Sequence, residues 1–568
     1  MKKPALTELT LEEKVSQLIM VNQYDLFDKI IDGKYIPRTY EEIDEIMEKQ
    51  QFSGMWYCGN ITMKTANVAE VAGDKPLTTK ESREFLERIS KKVRIPMLRG
   101  IDCELGPGVT FCDATITPTG YSIGAADDEE LTFELYKNVA REIKTAGGTW
   151  RWQPVVDLCN RFNGVTQGRS FSDSDMDLIM KHSVAAIKGM QSVKMPACAK
   201  HFPSADPYEF RDAHFVPSVN LSSYEEWWNT QAKIFKNAID NGVWSIMVGH
   251  YGFPAVDDEK LNGQYVPATL SRKICHGLLR DKLGFEGVIV TDAITMGALS
   301  TMCSEEEKLI RMINAGNDLL LSVDLKAHET LCNAVKDGRI SMQRIDESCQ
   351  RVLDLKEKMG LFDGTFEETA DIEEIVKETT DISRKISEKS VTMLRNKSGL
   401  VPVKKENIKK VAITFSSYSD DFFVKLNVMK EEFEKRGAEV VLSNNFNESG
   451  TEYEDRYNLF CKLIEENDLI IHAAHLSCHR PAGMLAFFNE ELRPFEWTFS
   501  QGNEKAIGVS LGYPYIGHDV MPGANTYFNI YSINPEAQKA FVKAIYGEIP
   551  ITGKSPVDIE PKLRYVYC

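Results

Sequence analysis

Little in this chain points to a membrane, a nucleic acid or an oxidising compartment. A bilayer span needs a run of about 18 apolar residues, and no such run occurs. The first residues, MKKPALTELTLEEKVSQLIM, open with two lysines, but acids interrupt the stretch where a secretory leader would be apolar, so no leader is expected. The 12 cysteines are scattered without a CxxC pair, which predicts thiols in a reducing cytoplasm rather than a disulfide framework or a zinc ribbon. Basic residues are in deficit: 67 Lys and Arg against 84 Asp and Glu give a formal net charge of −17. Nucleic acid and anionic lipid need a basic face and are disfavoured as partners, whereas a neutral sugar is untouched by the argument. Low-complexity segments are also missing, and 43% hydrophobic with 27% charged residues is ordinary globular composition.

The 568 residues exceed what one core of about 250–300 residues accommodates, so at least two domains are expected. Short apolar runs recur, each ending on a polar residue and followed by a helix-like stretch. Residues 97–101 lead to Asp102, 149–156 to Asp157, 195–199 to Lys200 and His201, 243–249 to His250, 287–291 to Asp292, and 319–323 to Asp324. Between them lie amphipathic segments such as 130–146 and 176–190, with apolar residues at helical spacing. Strand alternating with helix predicts a parallel sheet of βαβ units, and polar residues at successive strand ends suit a (β/α)8 TIM barrel, whose sites gather there. The pattern carries to about residue 370, where the sequence turns acidic and helical. Runs at 411–415, 439–443, 468–472, 507–511 and 526–531 then alternate with helices at 422–436 and 535–546, as in an α/β/α sandwich. The expected division is a barrel over 1–372, a helical linker over 373–400 and a sandwich domain over 401–568.

Several constellations carry chemistry. Asp292 closes the strand-like run in GFEGVIVTDAITMGAL; it is either an N-cap of the following helix or a carboxylate held rigidly at a barrel mouth. Asp212-Ala-His214 sits in a loop rich in Ser, Pro and Glu. An aspartate two residues before a histidine can fix the ring tautomer and leave the other nitrogen to move protons; the plainer reading is two solvated loop residues. Lys200-His201, directly after a strand, is hard to explain by packing and easy to explain by a hydroxyl-rich substrate. Arg169 closes a Gly/Asn-rich loop, and Asp102 and Glu104 stand on a tight turn; each has a surface or turn-bracing alternative. His472, His475, Cys478 and His479 cluster after a strand of the second domain, where packing is the preferred reading over metal. Glu490, Glu491 and Glu496 lie in an aromatic-rich stretch, read as an exposed acidic loop.

TLEEKVSQLIM, WQPVVDLCNRFNGVTQGRSF, AKHFP, the DAH pair, MVGHYGFPAVDD, VPATLSRKI, LGFEGVIVTDAITMGAL and INAGNDLLLSVD resemble glycoside hydrolase family 3 in the same order, and within it the bacterial β-N-acetylglucosaminidases. SEKSVTMLRNKSGLVPV and YGEIPITGKSPV resemble that family's second domain. The resemblance implies a retaining exo-β-glycosidase. Asp292 would be the nucleophile, His214 the acid/base and Asp212 the group that orients it. Asp102, Arg169, Lys200, His201 and His250 would be sugar contacts. No cofactor and no metal is implied, because both steps need only protons and a carboxylate. The alternatives are a β-glucosidase-type acid from the second domain, a glycoside phosphorylase in which phosphate replaces water, and a non-catalytic sugar binder. Two departures stand out: Glu104-Leu-Gly-Pro107 replaces an EGGR stretch, which predicts a missing arginine contact, and Ser204-Ala-Asp-Pro207 replaces GHGD. The second domain has two open uses, packing on the barrel or on a partner subunit.

Overall fold

Strands of Leu, Ile, Val and Met too short to stand alone recur through the first two thirds of the chain, and only a ring of such strands covered by helices buries them. The computed structural model describes residues 2–31, 34–57, 77–159, 168–207, 209, 211–368, 370–417, 424–443, 453–476, 496–519 and 521–559. Two compact units emerge: Met1–Ile116 with Thr132–Leu158 and Ser183–Thr379, and Thr117–Leu131 with Cys159–His182 and Thr380–Cys568. Two short stretches of the barrel's sequence thus group with the second unit, an interleaving that single cuts along the chain do not anticipate.

The first unit holds eight parallel strands: β1 (Ile19–Asn22), β2 (Gly54–Trp56), β3 (Leu98–Ile101), β4 (Trp150–Arg151), β5 (Cys198–Phe202), β6 (Ser245–Val248), β7 (Val288–Ala293) and β8 (Leu319–Val323). Their spatial order is β4-β3-β2-β1-β8-β7-β6-β5, the cyclic order of a (β/α)8 barrel. The seam between β4 and β5 is closed by a parallel bridge from Val155 to Lys200. Cys198 N donates to Gln153 O (2.7 Å), Lys200 N to Pro154 O (3.2 Å) and Val156 N to Lys200 O (2.9 Å). Trp150 and Trp152 are fully buried in edge-to-face contact, and Trp150 Nε1 donates to Ser245 Oγ at 3.2 Å. Gly100 makes room for them, since a Cβ there would stand 2.1 Å from the Trp152 ring. Cutting either indole to alanine would cost about 3–5 kcal/mol.

Helix starts are written locally. Thr10/Glu13, Thr39/Glu42, Thr78/Glu81 and Ser223/Glu226 form reciprocal capping boxes, each satisfying two backbone donors that a first turn leaves unpaired.

The second unit is built on a six-stranded sheet of β9 (Thr392–Asn396), β10 (Lys410–Ser417), β11 (Glu439–Ser443), β12 (Leu469–His475), β13 (Ala506–Ser510) and β14 (Thr526–Asn529), in the order β9-β14-β13-β12-β10-β11. All pairs are parallel except β9 with β14. A helix at Ile372–Ser390 precedes it and fills the first part of the stretch 373–400 read as a linker, while β9 occupies part of the rest. His472 is a core residue of this sheet: Thr414 Oγ1 lies 2.6 Å from its Nδ1, and burial pushes its imidazole down to about 3. No cluster able to hold a metal occurs among the described residues. Cys478, His479, Glu490 and Glu491 lie outside them, and Glu496 is exposed. No described helix is long and apolar enough to cross a membrane.

Candidate active site

The strand ends of the barrel converge on Asp292. It stands near the end of β7, with Oδ1 accepting the N–H of Ala293 at 2.8 Å. The next helix spans Gly297–Ser300 and is capped at Met296, so Asp292 is not an N-cap. Burial alone would raise its pKa, but the positive fields of His201, His214 and Lys200 outweigh it and hold the carboxyl well below the usual range. Asp292 is therefore an ionised carboxylate at neutral pH.

His214 lies on the loop after β5. Its Nδ1 is 2.6 Å from Asp212 Oδ1, which also accepts the His214 backbone N–H at 2.8 Å. A carboxylate only accepts, so the ring carries its proton on Nδ1 and presents Nε2 as the proton-moving nitrogen. Glu209, largely buried, scaffolds the same loop by accepting from Arg211 N (2.9 Å), Arg211 Nε (3.0 Å) and Val219 N (3.1 Å). Burial raises the Glu209 carboxyl, and the bonds from Arg211 bring it below its ordinary value.

Lys200 and His201 lie within β5 itself, a few residues beyond the end read from the apolar run. Lys200 Nζ is buried and bridges Glu104 Oε1 (2.8 Å) and Asp102 Oδ1 (3.3 Å), while Trp56 Nε1 donates to Asp102 Oδ2 at 3.3 Å. His201 Nδ1 is 2.7 Å from Asp157 Oδ2, and Ser204 Oγ donates to Asp157 Oδ1 at 2.8 Å. Glu104, Asp157 and Trp56 join the constellation although sequence reasoning did not rank them as site residues. For Asp157 the signal was present, since it ends an apolar run as Asp102 and Asp292 do.

His250 is fully buried. Its Nε2 lies 3.0 Å from Ala293 O and its Nδ1 3.0 Å from Thr269 Oγ1. The carbonyl accepts, so Nε2 carries the hydrogen. Burial pushes the ring's pKa down against the pull of Asp292, keeping it neutral. Expected as a sugar contact, His250 has both nitrogens engaged by protein atoms and fastens the strand end that bears Asp292. Arg169 falls in the segment Cys159–His182 of the second unit, where it is half-buried. The arginine absent from the 104–107 turn has a counterpart behind it. Arg151 of β4, buried over the Tyr136 ring, donates from Nη2 to Cys103 O at 3.0 Å and so braces the turn that carries Asp102 and Glu104.

The profile of the Glycosyl hydrolase family 3 N terminal domain matches residues 10–355, the whole of the barrel and this constellation. The chain belongs to glycosyl hydrolase family 3. Within that family it is 26% identical over 522 residues to a beta-N-acetylglucosaminidase/beta-glucosidase of Cellulomonas fimi, covering 88% of each chain. Two solved structures share its fold throughout. One is named Beta-glucoside phosphorylase BglX (TM-score 0.79, 23% identity, 98% of this chain and 95% of that one). The other is a family 3 beta-N-acetylglucosaminidase from Paenibacillus sp. str. FPU-7 (TM-score 0.74, 24% identity, 97% of this chain and 99% of that one). The chain is thus a family 3 glycosidase acting on carbohydrate.

Proposed function

We propose that the protein is a retaining exo-β-glycosidase that releases terminal β-linked N-acetylglucosamine. Asp292 attacks the anomeric carbon and His214 protonates the departing oxygen. Asp212 orients the imidazole and stabilises the imidazolium. Water then attacks the glycosyl-Asp292 ester, with His214 as the base. The observation that carries this reading is the 2.6 Å pairing of His214 Nδ1 with Asp212 on a loop whose imidazole acts electrostatically on Asp292. Asp102, Lys200 and His201 contribute donors and acceptors for sugar hydroxyls, and Arg169 is proposed as a further contact. We place the activity in the cytoplasm, as the nine described cysteines, all thiols, suit a reducing compartment.

Phosphorolysis is a second reading with its own support. The proton acceptor is an imidazole and not a carboxylate, so it repels an incoming phosphate dianion less, and Lys200 and His201 add donors nearby. A panel of p-nitrophenyl β-N-acetylglucosaminide, β-glucoside and β-xyloside, run with and without phosphate, separates the readings. Acetylglucosaminide cleavage lost in both Asp292→Asn and His214→Ala supports the first, and a phosphate-dependent glycosyl phosphate supports the second. Glucoside cleavage that survives His214→Ala would move the acid/base to another residue.

A further inference from the structure

The loop that carries His214 is fastened to the segment that carries Asp292, and the fastening leaves no room for a side chain. Gly297 N donates to His214 O at 2.8 Å, and Ala298 N donates to Ala213 O at 3.1 Å. Both donors open the short helix Gly297–Ser300 that follows β7. Beneath the two bonds, Ala213 and Ala205 pack with Met296, Ala298 and Tyr251 in a small buried cluster. A Cβ at position 297 would stand 2.4 Å from the carbonyl oxygen of Phe215, 2.7 Å from its carbonyl carbon and 2.8 Å from its Cα. These are backbone atoms that no rotamer change moves aside. The loop has little freedom to yield, because Phe215 N and Val216 N both donate to Asp212 O at 3.0 Å. Any shift of Phe215 therefore pulls on the aspartate that orients the ring.

We infer that Gly297 is a positioning residue for proton transfer, setting the imidazole of His214 in register with the carboxylate of Asp292 through a two-bond backbone latch. The inference rests on the roles proposed above for those two residues. A methyl group at 297 displaces the proton donor and leaves the nucleophile, five residues upstream on β7, where it is. The defect then depends on how much protonation the leaving group needs, a signature that general loosening of the barrel would not produce.

The test measures kcat/KM, which reports glycosylation, on 2,4-dinitrophenyl and phenyl β-N-acetylglucosaminides (or β-glucosides, if the panel selects those). Full-length Gly297→Ala, Met296→Ala and His214→Ala are compared with the unmodified chain. Gly297→Ala is expected to lose about 100-fold on the phenyl glycoside and less than about three-fold on the dinitrophenyl one, whose leaving group needs no proton. Met296→Ala, which empties the seat under the loop without a backbone clash, is expected to show the same asymmetry at about five-fold, and carries the comparison alone if Gly297→Ala does not fold. Equal losses on both substrates, or none, with His214→Ala still showing the asymmetry, would overturn the latch and spare the catalytic assignment. A His214→Ala variant without asymmetry would bring down both.

Discussion

Two aspartate–histidine pairs act on the same carboxylate from different kinds of backbone. His201 belongs to β5, and its partner Asp157 has no exposed side-chain surface; their 2.7 Å contact is braced by the Ser204 hydroxyl. His214 belongs to a loop, keeps about a fifth of its side chain exposed (19%), and meets Asp212 at 2.6 Å. The chemistry of the two pairs is nearly identical, and the supporting backbone differs. A buried pair whose histidine sits in a strand holds a hydrogen-bond donor in place, whereas one on a loop can meet a leaving group. The proton-moving role proposed for His214, and not for His201, thus rests on the support of each ring and not on its aspartate.

Substitutions can break or sharpen that contrast. The largest effect belongs to the carboxylate that both pairs address: Asp292→Asn should lower kcat/KM by about four orders of magnitude or more, read with any cleaved aryl glycoside. The two aspartates should then separate by kind of damage. Asp157→Ala leaves His201 and Ser204 without their buried acceptor and should cost about 3–5 kcal/mol of stability in denaturant unfolding. Asp212→Ala should change stability by less than about 1 kcal/mol while lowering kcat/KM on the phenyl glycoside about 100-fold. Equal stability losses would erase the distinction. A pH profile sharpens it further. A carboxyl whose pKa is lowered stays charged at every pH above its ordinary value and is lost only on acidification beyond it, so Asp292 should not set the acid limb. With the dinitrophenyl substrate, His214→Ala should be flat from about pH 5 to 8; an acid limb near the ordinary carboxylate range would contradict the fields assigned to Asp292. Smallest of all, Glu209→Gln should weaken the loop's scaffold and lower the phenyl rate about five-fold, with no change in unfolding free energy beyond about 1 kcal/mol.

The barrel was legible where strands are long and apolar. The run at 319–323 is β8 itself, and all but the first residue of 287–291 lies within β7. It was least legible at β1 and β2, four and three residues long, which do not stand out from the amphipathic sequence around them. The end of β5 was misjudged for a physical reason. Lysine and histidine look like strand terminators, yet here both continue the strand because Asp102, Glu104 and Asp157, distant in sequence, satisfy them. Asp324 shows the converse: it ends a strand as Asp292 does, but its Oδ1 accepts from Lys326 N (2.9 Å) and Ala327 N (3.0 Å) and merely caps a turn. Local sequence does not distinguish such a cap from the carboxylate proposed as nucleophile; the hydrogen-bond partners of each side chain do. The DAH pair was readable because its partners are two residues apart, whereas the contribution of Gly297 depends on a loop some eighty residues away.

The barrel's ring is joined where β4 meets β5, by a bridge at Val155 and a few amide bonds around Cys198 and Lys200. The side chains of Lys200 and His201 hang from that same join. With the sugar contacts proposed for Lys200 and His201, a bound glycoside would act as a rivet across this join. Amide deuterium uptake at residues 198–200 should slow on saturation with an inert sugar, more than at the opposite wall around β1 and β8.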